Sequence, residues 1–237
     1  MADASLPQDN LRGKQPLCAS AYKYVFNTCR IPAPEQDVIG IWDSNEFNHI
    51  VVLANNCVYQ MALSAEMAPT EIMANLSWIK EDAKNHSELP IGTLTAVHRD
   101  TWTKARSHLI TKVQNIEALT VIESSAFAVC LDDHDPDSQT SSARQLLLDD
   151  GTNRWYDKTI QLIVFANGRA GLYAEHALID ATVISRLLTD ALTNITGQIE
   201  PSAETPSPLP QKLTFELDEN SGQYISDSTT FYSDFIS

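Results

Sequence analysis

Between residues 153 and 180 the chain gathers the side chains with the most chemical reach, in the stretch NRWYDKTIQLIVFANGRAGLYAEHALID. Its one histidine, His176, follows a strand-turn-strand pattern and precedes strong helical periodicity. Imidazole titrates near neutrality, with an unperturbed pKa of about 6.5, so a histidine held at such a junction can act as a general base. The positive end of the following helix favours the neutral ring, which is the form a base needs. The competing reading is a structural histidine. Asp180, four positions on, reads as the N-cap of that helix and as a carboxylate that orients the histidine loop or pairs with a cation across a cleft. Glu175 should point away from His176, because strand neighbours alternate, and reads as structural.

Other chemistries find less support. Glu175, His176 and Asp180 make a poor metal set, since borderline metals want more histidine or cysteine, so no metal is expected. A nucleophilic triad has neither a G-x-S-x-G turn nor an electropositive cysteine, Cys130 lying in an apolar run. Arg154, Trp155, Asp157 and Lys158 precede an apolar strand and read as a buried or half-buried ion-pair cluster that anchors it. Direct substrate contact is the alternative for those four.

The elements that must position these residues are strands mixed with helices. HIVVL and CVYQMAL flank Asn55-Asn56 and predict a hairpin. Residues 70–84 predict an amphipathic helix, with Ile72, Leu76 and Ile79 on one face. Two more helices run through Trp102, Ala105 and Leu109 and through Ile116, Leu119 and Ile122. Residues 126–131 predict a short strand, and a short helix is suggested near Leu146. Residues 160–166 are nearly all apolar and predict a central strand, and Asn167-Gly168 turns the chain into a return strand over 169–174. Val183, Ile184, Leu187, Leu188, Ala191 and Ile195 repeat at helical spacing behind Asp180. Residues 201–210 predict an extended, proline-rich connector, 213–217 a further strand, and 226–236 the start of a helix. Without regular strand-helix alternation, the expected class is α/β or α+β with a mixed sheet flanked by helices. The expected division is a loose segment over 1–14, one domain over 15–217 and a connecting helix over 218–237.

The 237 residues are enough to bury a sizeable core. A formal charge of -15 opposes nucleic acid and anionic membrane surfaces as partners. It also fits poorly with tight binding of a polyphosphate by this chain alone. No apolar run has transmembrane length, and no secretory leader is expected at the start. Cys18, Cys29, Cys57 and Cys130 show no metal spacing and read as free thiols of an intracellular, reducing compartment. The C-terminal Phe235-Ile236-Ser237 is not a peroxisomal address, and the residues do not divide mitochondrial, peroxisomal and cytoplasmic locations.

Several segments resemble the choline/carnitine acyltransferase family. Asn153 to Lys158 resembles its N-R-W-[FY]-D-K motif, and Glu175-His176 with Asp180 resembles its E-H followed by an acid four residues later. Gln15-Pro16-Leu17-Cys18 with Tyr22 or Tyr24, then Cys29-Arg30-Ile31-Pro32-Ala33-Pro34, is similar to Q-P-L-C...Y...C-R-[IV]-P-G-P, with Ala33 in place of the usual glycine. Pro90 to Thr95 and His98 to Ala105 resemble P-[VI]-G-x-L-T and H-R-[ND]-x-W-A-x-A, and Phe127 to Asp132 resembles another family strand. The wording is nearer the acetyltransferases than the palmitoyltransferases.

The resemblance implies a half of chloramphenicol-acetyltransferase type within a two-half enzyme of fatty-acid and lipid metabolism. It implies acyl transfer between coenzyme A and carnitine (or choline), both as substrates, with no bound cofactor. His176 would take the proton of the acceptor hydroxyl, or of the thiol in reverse, with Asp180 in support and no acyl-enzyme. Family members are longer, and their contacts to coenzyme A and carnitine and their oxyanion hydroxyl have no matching positions here. A catalytically silent fragment that at most binds a partner is therefore the alternative. On either reading Leu172, Tyr173, Leu178 and Ile179 are expected to lie open around His176 and to promote self-association.

Overall fold

A computed structural model describes residue 10, residue 16 and residues 18–195, 197, 206 and 208–237. The segment 1–14 except Asn10, Gln15, Leu17 and most of the connector 201–210 lie outside the described residues. Two strands open the fold as a small antiparallel ribbon, β1 (Thr28–Ile31) and β2 (Val38–Ile41). Six more strands make one mixed sheet: β3 (His49–Ala54), β4 (Cys57–Ala62), β5 (Ala128–Leu131), β6 (Ile160–Val164), β7 (Ala170–Ala174) and β8 (Gln211–Lys212). The spatial order is β7-β6-β5-β3-β4-β8, with β3, β5 and β6 parallel and the other neighbours antiparallel. The helices are α1 (Pro69–Ala83), α2 (Arg99–Leu109), α3 (Val113–Ser124), α4 (Gln139–Leu147), α5 (Ala181–Thr193) and α6 (Glu219–Ile236). The expected class, a mixed sheet flanked by helices, is the one found.

Alternation along β3 explains the layers. Ile50 and Val52 face one side, where Ile79 and Ala83 of α1 cover them, and Val51 and Leu53 face the other, where α2, α3 and α6 supply Trp102, Leu119, Ile122 and Ile225. A third cluster joins Ile160 to Ile179 and Val183, so the start of α5 is packed against the sheet beside the His176 turn. The β3-β4 turn uses Asn55 and Asn56 at φ 47° and 62°, the left-handed pair that a tight hairpin requires.

Three expectations differ from the structure. β6 is one strand in from the edge, with β5 and β3 at the centre, because the antiparallel β7 closes that side. Residues 213–217 alternate in polarity like a strand, yet only Gln211–Lys212 pair with β4. Leu213 N–H still reaches Val58 O at 2.8 Å, but β4 ends at Cys57, and the Asn115 side chain takes over both backbone groups of Glu216. Leu213, Phe215 and Leu217 pack on the core as irregular chain. Finally, α6 starts well before residue 226, because Asp218 caps it by accepting the Ser221 N–H at 2.9 Å. It buries Ile225 and Tyr232 against the domain.

The least expected burial is Arg154, with no exposed side-chain surface. Its Nη1 and Nη2 bond Asp132 at 2.8 and 2.7 Å, and Nη2 also meets Asp149 at 3.1 Å. Burial opposes its charge, but these carboxylates win and push its pKa above the ordinary arginine value. Arg154→Met should cost about 3–5 kcal/mol in urea denaturation at neutral pH, because two buried carboxylates lose their cation. The variant should regain stability on acidification, as burial already raises the Asp149 carboxyl and its protonation removes a stranded charge. A cost near zero, or no such recovery, would show that the ion triad does not anchor this loop.

Candidate active site

Strand β7 ends at Ala174, α5 begins at Ala181, and His176 sits in the turn between them. Its side chain is 79% exposed, and Nε2 lies 3.5 Å from Asp180 Oδ1, in a carboxylate that is itself 74% exposed. The same Oδ1 accepts the Ala181 N–H at 2.6 Å, so Asp180 caps α5 while facing the histidine. An exposed pair at that distance adds little stability and leaves the ring open to a reactant. The two roles read for Asp180, cap and neighbour of His176, are compatible in this geometry.

Glu175 is turned inward, its side chain 12% exposed against 79% for His176, although both lie just past the end of β7. Its Oε2 accepts the Ala177 N–H at 2.9 Å and its Oε1 accepts from Arg30 Nη1 at 3.1 Å. Glu175 is therefore committed elsewhere and does not join His176 and Asp180 as a third ligand. Arg30 also donates through Nε to Asp37 at 2.5 Å. Asp37 lies 2.8 Å from Arg99 Nε, and Arg99 Nη1 reaches Asp157 at 2.5 Å. Burial works against the Arg30 charge, but Asp37 and Glu175 outweigh it and raise its pKa. Arg30, Arg99, Asp157 and Glu175 line a cleft of about 280 Å³, walled also by Thr95, Tyr156, Tyr173 and Tyr232.

The stretch 153–158 is a largely buried anchor, of which Tyr156 and Asp157 also line the cleft. Trp155 stacks edge-on against Trp102 at 6.1 Å, its backbone N–H donates to Gln161 Oε1 at 2.8 Å, and the Tyr156 backbone N–H donates to Thr95 Oγ1 at 2.9 Å. Asp157 takes the Trp102 indole N–H at 2.7 Å as well as Arg99, and burial still pushes its carboxyl up to about 6. Lys158 is fully buried and gives its ammonium to Glu123 O at 2.8 Å, and burial pulls its pKa down to about 8. Gln161, the one polar side chain among the apolar residues of β6, ties that anchor to the sheet. Arg30, Asp37 and Arg99 were not legible as partners, because they come from three separate segments and nothing in their spacing announces the meeting.

The expected open patch around His176 is not found. Ile179 is buried, and Leu172 and Leu178 pack with it on Ile160 and Val183. Tyr173 stacks edge-on against Tyr156 at 5.2 Å. Exposed apolar side chains lie instead at other places, among them Leu147 on the cleft wall, 61% exposed, and Phe231 and Phe235 on α6, 53% and 70% exposed. Away from the site, Asp132, His134 and Asp149 converge, but Arg154 already stands between the two carboxylates. Cys29, Cys57 and Cys130 are buried free thiols, and Cys18 is exposed. No helix among the described residues is long and apolar enough to cross a membrane.

The fold is a mixed sheet with an accessible histidine at a strand-to-helix turn, and comparison with known proteins supplies its family. The profile described as Choline/Carnitine o-acyltransferase matches residues 1–237, and the chain belongs to that family. It is 33% identical over 212 residues to mouse mitochondrial carnitine O-palmitoyltransferase 2, covering 85% of this chain and 32% of that protein. It is also 33% identical over 231 residues to mouse carnitine O-acetyltransferase, covering 90% and 37%. The human acetyltransferase is 32% identical over 231 residues, with 90% and 37% covered. The chain thus spans about a third of the length of the curated relatives it matches.

Lys158 supplies a pH-dependent signature of this anchor. With a folded-state pKa near 8 against an ordinary 10.5, the unfolded chain binds the proton more readily, so folding is penalised below pH 8. The penalty lifts as pH rises from 8 to 10.5. The stability of the wild type relative to Lys158→Met should therefore rise by on the order of 3 kcal/mol across that window. A constant difference in denaturant unfolding would mean that the buried amine is not desolvated.

Proposed function

We propose that this chain carries the proton-accepting half of a carnitine O-acyltransferase site, with His176 as general base. Family membership and the open imidazole at the β7-α5 turn support the reading, and the second of these is the observation that carries it. In the proposed reaction His176 accepts the proton of the carnitine hydroxyl as its oxygen attacks the thioester carbonyl of acyl-coenzyme A. In reverse it accepts the thiol proton of coenzyme A as sulfur attacks acylcarnitine. The proton is then handed to the departing sulfur or oxygen, and the acyl group never bonds to the protein. Asp180, whose Oδ1 lies 3.5 Å from Nε2 and caps α5, would support the loop that carries the histidine.

For the acyl group we favour a short chain. The resemblance of the short segment around residues 45–50 to acetyltransferases supports this, although palmitoyl- and acetyltransferases match the chain equally well by identity. A second reading is a silent domain that at most binds a partner, for which the exposed Phe231 and Phe235 of α6 offer apolar surface.

Acyl transfer from acetyl- and palmitoyl-coenzyme A to carnitine, followed by release of free thiol, separates these readings. Turnover that falls on the order of a hundredfold or more in His176→Ala supports the base, and a preference for the acetyl donor supports the short chain. Turnover unchanged in His176→Ala would remove His176 from the mechanism, and no turnover in the wild-type chain favours the silent domain. The chain should also self-associate through exposed apolar side chains, Leu147 on the cleft wall and Phe231 and Phe235 on α6. Light scattering should show a larger species for the wild type than for a Phe231→Ser/Phe235→Ser variant. A monodisperse wild-type monomer at high concentration would contradict this.

A further inference from the structure

The turn that carries His176 is held by groups that leave its ring free. Asp180 cannot fix the ring, since both members of that exposed pair compete with water. The residue before His176 is fastened three times. Its backbone N–H donates to Thr159 O at 3.1 Å, one carboxylate oxygen takes the Ala177 N–H at 2.9 Å, and the other meets Arg30 at 3.1 Å. The Glu175 carboxylate thus bridges across His176 from the residue before it to the residue after it. Hydrogen bonds to a charged acceptor are roughly twice as strong as neutral ones. The bond from Ala177 lies at the exposed end of this carboxylate, whose side chain as a whole is only 12% exposed.

A half-buried carboxylate stays in place only while a cation holds it. Arg30 is that cation, and its planar fork serves two acids at once, Nε on Asp37 and Nη1 on Glu175. Asp37 is in turn backed by Arg99, and Arg99 by the buried Asp157. Without Arg30 the Glu175 carboxylate gains more from water than from the Ala177 N–H, and the bridge across His176 opens.

We propose that Arg30 and Glu175 are positioning residues that set the His176 turn, acting as one unit through the Ala177 N–H. The inference rests on the reading of His176 as base, and its test does not need that reading to hold. In the isotope-labelled 237-residue chain, amide hydrogen exchange at His176 and Ala177 and the three-bond couplings that report the His176 side-chain rotamer are measured by NMR. Glu175→Ala and Arg30→Met should each speed Ala177 exchange by about tenfold or more, while the amides of β5 and β6 stay protected. The double variant should be no faster than either single one, because both break the same bridge. The His176 couplings should move toward rotamer averaging in all three. Glu175→Gln can accept from Ala177 but then turns its amide donors on Arg30, and Arg30→Lys cannot span both acids. Each should fall between the wild type and the truncations, and these milder variants carry the test if a truncation does not fold. Where acyl transfer is measurable, the clamp variants should lower kcat and leave KM for carnitine unchanged.

Unchanged exchange and couplings at residues 176 and 177, or additive effects of the two substitutions, would overturn the proposal. Loosening of the turn in the clamp variants, with transfer unaffected by His176→Ala, would retire the base and keep the clamp. Loss of transfer in His176→Ala, with the turn unmoved in the clamp variants, would retire the clamp alone.

Discussion

Arg154 is a guanidinium with no access to water, and the packing around it follows from that condition. Its cost is met only because Asp132, at the end of β5, and Asp149, just after α4, converge on it. The Arg154 carbonyl fixes more of the same region. A Cβ at Gly92 would come within 2.2 Å of it, so the 90–96 segment passes against this loop with only a hydrogen to spare. Trp155 and Lys158 then reach into the α2-α3 layer, and Gln161 closes the loop onto β6. The strand that leads to the His176 hairpin is therefore set in place by charges that never meet solvent.

Local chemistry was legible from the residues, and long-range partnership was not. Asn55-Asn56 and Asn167-Gly168 announce their hairpins because few residues tolerate left-handed backbone, and Asp180 announces α5 because a helix end needs an acceptor. The place of His176 at a strand-helix junction follows from those two signals. The strand order does not. Residues buried on both faces say that helices cover a strand above and below, but not how many strands lie beside it, so β6 reads as central while sitting next to the edge. The strand expected over 213–217 failed for a related reason. Alternating polarity gives a segment two faces, but pairing also needs a neighbour of matching length, and β4 has run out by then.

The site shows the same division. His176, Asp180 and the opposite aim of Glu175 can be read from a few adjacent letters. Arg30, Asp37 and Arg99 come from the β1-β2 ribbon and the start of α2, and only the folded chain brings them to Glu175 and Asp157. The two sets behave differently toward water. The histidine and its aspartate are exposed and free to meet a substrate, while the groups that hold their turn are half-buried and committed to one another.

The row Glu175, Arg30, Asp37, Arg99, Asp157 alternates in sign from the histidine turn into the core. Asp37 joins the two arginines, while Glu175 and Asp157 each have one charged partner in the row, so losing Arg30 or Arg99 strands a carboxylate at that end. Drift at these positions is therefore tied together. A lineage that loses one charge must soon lose or invert another, and the sequence history of this corner should be written in pairs, while the surface around it changes one residue at a time.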